Sequence, residues 1–136
     1  MNETATARDT AAATGMTVLV VDDSEVVRKS LLAHLRDVPA VARVGEAQDP
    51  ASAREALRRL APHVVILDLH LPGGSGFDVL REIRGGPASP LVIVFTNHAE
   101  PAYRKRCLED GADYFFDKAR DLPRVIEVLR ERAASA

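Results

Sequence analysis

Residues 64–80 read VVILDLHLPGGSGFDVL, and this stretch decides the fold. Val64 to Leu67 are apolar at every position, whereas a strand with one face in water alternates apolar with polar residues. The run therefore predicts a strand buried on both faces, as in a parallel sheet covered by helices. It stops at Asp68, and Gly73, Gly74 and Gly76 after Pro72 predict a mobile loop. Phe77, Leu80 and Ile83 then recur at the spacing of one helical face, so the chain passes from strand to short helix.

Working outward, further apolar runs lie at 17–21, 41–44, 91–95 and 114–116, and VLVV and LVIVF share the unbroken apolar character of VVIL. Between them, 24–36 places Val27, Leu31 and Leu35 on one helical face, with Asp23 or Ser24 as N-cap. Asp49 followed by Pro50 predicts a capped second helix with Ala53, Ala56, Leu57 and Leu60 inward. Pro101 opens a fourth helix through Tyr103 and Cys107 that Gly111 closes, and Leu122, Val125, Ile126 and Leu129 define a fifth. Strand and helix alternate five times, which predicts an α/β fold: a doubly wound five-stranded parallel sheet with helices on both faces. The first fifteen residues, rich in Ala and Thr, predict a disordered tail over 1–15, leaving one domain over 16–134 and no output domain.

Composition narrows the function. A net charge of -2 with both signs interspersed gives no basic surface for nucleic acid, and no apolar run approaches the roughly twenty residues that cross a bilayer. The single cysteine, Cys107, allows neither an internal disulfide nor a cysteine metal cluster and reads as a small buried residue of the fourth helix. The expectation is a soluble cytoplasmic protein.

In open α/β sheets ligands bind beyond the carboxyl ends of the strands. Here the first run ends in Asp22 and Asp23, the third in Asp68, the fourth in Thr96 and Asn97, and the fifth in Asp117 and Lys118. Clustered carboxylates repel unless neutralised, and a hard divalent cation with oxygen ligands, Mg2+ above all, removes the conflict. A hydroxyl and an ammonium opposite such an ion suit phosphoryl transfer, which is catalysed mainly by charge stabilisation on the peripheral oxygens. Asp68 is then the acceptor.

VLVVDDS, VVILDLHLPGGSGFDVL, VIVFTNHA and GADYFFDK, in that order and each at a predicted strand end, resemble the receiver domain of two-component response regulators over 16–132. The resemblance implies a flavodoxin-like strand order of 2-1-3-4-5 and a stand-alone response regulator of a two-component or phosphorelay system. By it, Asp68 takes a phosphoryl group from a sensor histidine kinase or a histidine phosphotransfer protein. Asp23 and Asp68 ligate Mg2+ directly, Asp22 does so through water, and the main-chain oxygen of His70 completes the protein ligands. Thr96 and Lys118 contact the phosphoryl oxygens, and an inward shift of Thr96 opens space for Phe115 to turn inward. A downstream protein then reads the face of helix four, strand five and helix five, including Arg104, Lys105 and Phe115. Such a protein assists its own phosphorylation and dephosphorylation rather than acting as an enzyme on a separate substrate.

The sequence departs from that family at Asn97, where a small residue is usual, and at Ala119, where proline usually follows the lysine. Other readings carry less. A haloacid-dehalogenase-type phosphatase needs a second Asp where His70 stands. A degenerate receiver serving as a phosphorylation-independent binding module conflicts with the intact Asp22, Asp23, Asp68, Thr96 and Lys118. The glycine cluster lacks the lysine and hydroxyl of a P-loop. His70 and His98 are expected exposed at the rim, where they would tune phosphoryl lifetime. His34 and His63 have no partner spacing and read as structural or solvated.

Overall fold

The computed structural model describes residues 15–134, so the expected tail lies, Gly15 apart, outside the described residues. Five parallel strands form one sheet: β1 Met16–Val21, β2 Val41–Ala47, β3 Val64–Leu67, β4 Leu91–Thr96 and β5 Tyr114–Asp117, in the order β2-β1-β3-β4-β5. The helices are α1 Glu25–Leu35, α2 Pro50–Leu60, α3 Gly76–Gly85, α4 Pro101–Glu109 and α5 Leu122–Ala134. This is the expected flavodoxin-like arrangement.

The unbroken apolar strands divide their side chains between two cores. Leu19, Val21, Val65, Leu67, Val92 and Val94 meet Ala53 and Ala56 of α2, Phe77 and Leu80 of α3 and Cys107 of α4. The alternate residues Val18, Val20, Val64, Ile66, Ile93 and Phe95 meet Leu31 and Leu35 of α1 and Val125 and Leu129 of α5. Each fully buried Leu or Val contributes roughly 1.5–3 kcal/mol, and a strand buried on both faces uses every residue in this way. The edge strand β2 reaches Ala47 rather than stopping at 44, because it pairs on one side only and tolerates Arg43, Gly45 and Glu46.

Local chemistry sets the helix starts. Ser24, not Asp23, caps α1, its Oγ accepting from the Val27 N–H at 3.2 Å. Asp49 and Ser52 close a capping box ahead of Pro50, and Ser75 caps α3. The glycine cluster, expected as a mobile loop, has a definite fold: His70–Leu71 pairs antiparallel with Gly74–Ser75, and Gly73 turns the hairpin at φ 79°. Gly111 closes α4 at φ 105°, where a side chain would be strained.

Candidate functional site

The carboxyl edge of the sheet gathers the residues that the strand ends promised. Asp22, Asp23 and Asp68 each offer a carboxylate oxygen, all within 4.8 Å of one another. Lys118 reaches into the same place, its Nζ 2.6 Å from Asp22 Oδ2 and 3.0 Å from Asp68 Oδ2. The Lys118, Asp22 and Asp68 side chains are 9%, 3% and 7% exposed, so the charges meet with little water between them. Asp23 is exposed, and with Ser24 serving as the cap it is not spent on the helix.

Backbone donors aim the two buried carboxylates. Asp68 Oδ1 accepts the Leu69 N–H at 2.7 Å and Asp22 Oδ1 accepts the Ser24 N–H at 2.9 Å, leaving the second oxygen of each for the ammonium. Burial pushes the Asp22 carboxyl above its ordinary value, against the lowering hydrogen bonds from Lys118 and the Ser24 N–H. Burial alone would lower the Lys118 ammonium, but the hydrogen bond to Asp22 and the charges of Asp68 and Asp22 outweigh it and hold it above its ordinary value.

One ammonium offsets one of three carboxylate charges. The remaining charge, the all-oxygen donor set and the exposed third carboxylate fit a hard divalent cation such as Mg2+.

Thr96 is fully buried at the end of β4; its Oγ1 accepts the His98 N–H at 3.1 Å, and its carbonyl accepts the Lys118 N–H at 3.0 Å. Its hydroxyl hydrogen remains to be donated. Asn97 is exposed, so its bulk is carried outward. The peptide bond before Ala119 is trans like every described one, and the Ala119 N–H, which a proline would lack, donates to Asp117 Oδ1 at 2.9 Å.

Phe115 is only 5% exposed and packs with Cys107 and Ala112. The expected turn from outside to inside therefore has a different starting point here, because the ring is already inward. Arg104 lies beside it, donating through Nη1 to the Phe115 carbonyl at 3.3 Å.

His70 and His98 do more than stand exposed. Their rings stack with centroids 3.7 Å apart, and Tyr103 meets each edge-on at 6.3 Å. His63 is structural, its Nδ1 accepting the Thr17 N–H at 3.0 Å, while Cys107 is buried and its thiol is pushed up to about 11 by that burial.

Two contacts lay beyond the sequence reading. Besides Asp68, Lys118 contacts Asp22, and that contact is the shorter of the two. Arg28, on the first turns of α1, places Nη1 2.6 Å from the Asp22 carbonyl. A basic residue just past an acidic strand end is the only trace of it in the sequence.

The fold and this edge define a class. The family model described as the response regulator receiver domain matches residues 18–130, and the chain belongs to that family. It is 41% identical over 123 residues to a protein-glutamate methylesterase/protein-glutamine glutaminase of Anaeromyxobacter dehalogenans, covering 88% of this chain but 33% of that protein. This chain thus spans about a third of that relative. Among solved structures, the signal receiver domain of the putative response regulator NarL from Mycobacterium tuberculosis superposes with a TM-score of 0.80 at 29% identity, covering 90% of this chain and 98% of that one. The response regulator domain of Thermotoga maritima CheB gives 0.77 at 29% identity, covering 90% and 96%. The chain is a receiver domain of two-component signalling, and among the described residues no helix is long and apolar enough to cross a membrane.

Proposed function

We propose that the protein is a cytoplasmic response regulator that accepts a phosphoryl group on Asp68 from a histidine kinase or a histidine phosphotransfer protein. The observation that carries this reading is the buried Lys118 ammonium bridging Asp22 and Asp68 beside a third carboxylate. An acidic cluster alone is commonplace; one with a desolvated ammonium shared between two of its carboxylates is arranged for charge that arrives and leaves.

Asp23 and Asp68, with the His70 carbonyl, would hold Mg2+ directly and Asp22 would hold it through water. When bound, the ion supplies the positive charge that lets a phosphoryl dianion approach these carboxylates. A carboxylate oxygen of Asp68 attacks phosphorus as the bond to the donor imidazole breaks, leaving an acyl phosphate. Lys118, already 3.0 Å from Asp68 Oδ2, stabilises the new charge, and the Thr96 hydroxyl donates to a phosphoryl oxygen. The shift of Thr96 and a change in Phe115 packing then alter the face of α4, β5 and α5, which includes Arg104 and Lys105, and a downstream protein reads that face.

The test is a small-molecule phosphodonor with Mg2+, followed by intact mass and peptide mapping. One phosphoryl on Asp68, absent in Asp68→Asn and after chelation, supports the reading. Undiminished labelling in either case refutes it. Lys118→Ala should stay folded and lose partner binding on phosphorylation; normal binding would remove Lys118 from the switch.

A further inference from the structure

Asp22 sits where the ladder between β1 and β2 runs out. Its N–H donates to the Ala47 carbonyl at 3.0 Å, so the next rung of a parallel ladder would bring the Asp49 N–H to the Asp22 carbonyl. That N–H is taken instead by Ser52 Oγ at 3.2 Å, as part of the α2 cap. The Asp22 carbonyl is left at a buried strand end without its backbone donor, and an unsatisfied buried carbonyl is costly.

Arg28 fills the gap. Its Nη1 donates to the Asp22 carbonyl at 2.6 Å, and its Nε donates to Glu46 Oε1 at 3.0 Å. The Arg28 side chain is 12% exposed and Glu46 is 34% exposed, so the carboxylate on β2 holds the guanidinium in one orientation from the wetter side. The planar fork thereby joins α1, the β1 end and β2 at the peptide that links the two acidic residues.

We propose that Arg28 is a positioning residue for the divalent-cation site, acting through the Asp22 carbonyl rather than by touching the ion or the phosphoryl group. Pinning the 22–23 peptide fixes the directions in which Asp22 and Asp23 present their carboxylates. It also keeps Asp22 Oδ1 on the Ser24 N–H at 2.9 Å and Oδ2 on Lys118. Partners in this outer layer typically change metal affinity by about 10–100-fold when removed, because the ligands must then be ordered at the expense of binding. Glu46 sets the guanidinium and therefore belongs to the same device.

The inference rests on the cation site proposed above, and the two fail differently. Mg2+ is titrated into 15N-labelled wild type, Arg28→Met, Arg28→Lys and Glu46→Gln, following amide shifts for the dissociation constant and the Ser24 amide as reporter of the Asp22 carboxylate. Methionine keeps an apolar stem without donors; lysine restores one donor to the carbonyl but not the second to Glu46. Affinity about tenfold weaker in Arg28→Met, intermediate in Arg28→Lys and Glu46→Gln, with a displaced Ser24 amide before any Mg2+ is added, supports the proposal. Wild-type-like affinity in Arg28→Met overturns it, as does weakening that merely follows the unfolded fraction measured in the same sample. If Arg28→Met does not fold, Arg28→Lys decides alone, and wild-type affinity there overturns the proposal. A wild type that binds no Mg2+ overturns the cation site itself, and with it this inference.

Discussion

Lys118 shows how one side chain reconciles charges that would otherwise drive the site apart. At 2.6 Å from Asp22 and 3.0 Å from Asp68, with all three groups nearly dry, its attraction is far stronger than that of a surface pair. The reconciliation is incomplete, since burial still leaves the Asp22 carboxyl above its ordinary value. A raised folded pKa means that the native state holds the proton more tightly than the unfolded chain. The stability from this group is therefore fully present below the unfolded value of 3.8 and is lost as pH rises through the higher folded value. Comparing urea unfolding of wild type and Asp22→Asn across the acid range, without divalent cations, should show wild type gaining relative to the variant as pH falls toward 4. Parallel pH profiles would mean that the Asp22 carboxyl is not held above its ordinary range. Lys118 has the same sign of shift, with its contribution lost only above the ordinary lysine value of 10.5, so it leaves the acid profile untouched.

Elements differ in how firmly they hold the site, and α3 is held by the absence of a side chain. A Cβ on Gly76 would lie 2.1 Å from the Asp68 carbonyl and 2.8 Å from Leu69 Cα, so α3 packs directly on the backbone that carries the Asp68 carboxylate. Gly76→Ala should cost about 3 kcal/mol in denaturant unfolding, and it should weaken Mg2+ binding because relief requires the Asp68 backbone to move. A cost below about 0.5 kcal/mol would show that the contact relaxes freely. By contrast α4 buries only Cys107, and its N-cap Glu100 makes no side-chain cap hydrogen bond, whereas α3 buries Gly76, Phe77, Val79, Leu80 and Ile83. Amide exchange should accordingly be faster in α4 than in α3, and a phosphoryl mimic should change protection most in α4 and β5. Equal protection of the two helices, with changes confined to α1 and α2, would refute that route. The five strands, the helix starts at Pro50 and Pro101 and the acidic strand ends were legible in sequence because apolar runs, caps and turn residues act locally. The hairpin at His70–Leu71, the stacking of His70 on His98 and the reach of Arg28 to Asp22 were not, since they depend on where neighbouring loops end in space. A switching role for Phe115 is implied only by the family resemblance, and its present inward position is set by packing in one cluster with Cys107 and Ala112, which the sequence does not show.

At the scale of the whole molecule, the sheet separates two cores, and the acidic cluster at its carboxyl edge is assembled from the ends of β1 and β3, which are adjacent in the sheet. A cation held there binds only the folded chain, because the unfolded chain has no reason to bring residues 22, 23 and 68 together. Its binding free energy is therefore folding stability, about 2.7 kcal/mol at a concentration one hundred times the dissociation constant. For a domain of this length that corresponds to a rise in melting temperature of roughly 10 °C. Asp68→Asn should separate the two contributions of the Asp68 carboxylate. Without divalent cations it removes a like charge from beside Asp22 and Asp23 while Lys118 keeps its shorter contact with Asp22, so the melting temperature should equal or exceed that of wild type. With Mg2+ it lacks one of the carboxylates, and the rise should shrink to a third or less of the wild-type value. Calorimetric melting with Mg2+ and with a chelator measures both. A variant that melts well below wild type in chelator would show that Asp68 does not strain the resting site, and one that keeps the full Mg2+ rise would show that Asp68 does not hold the cation.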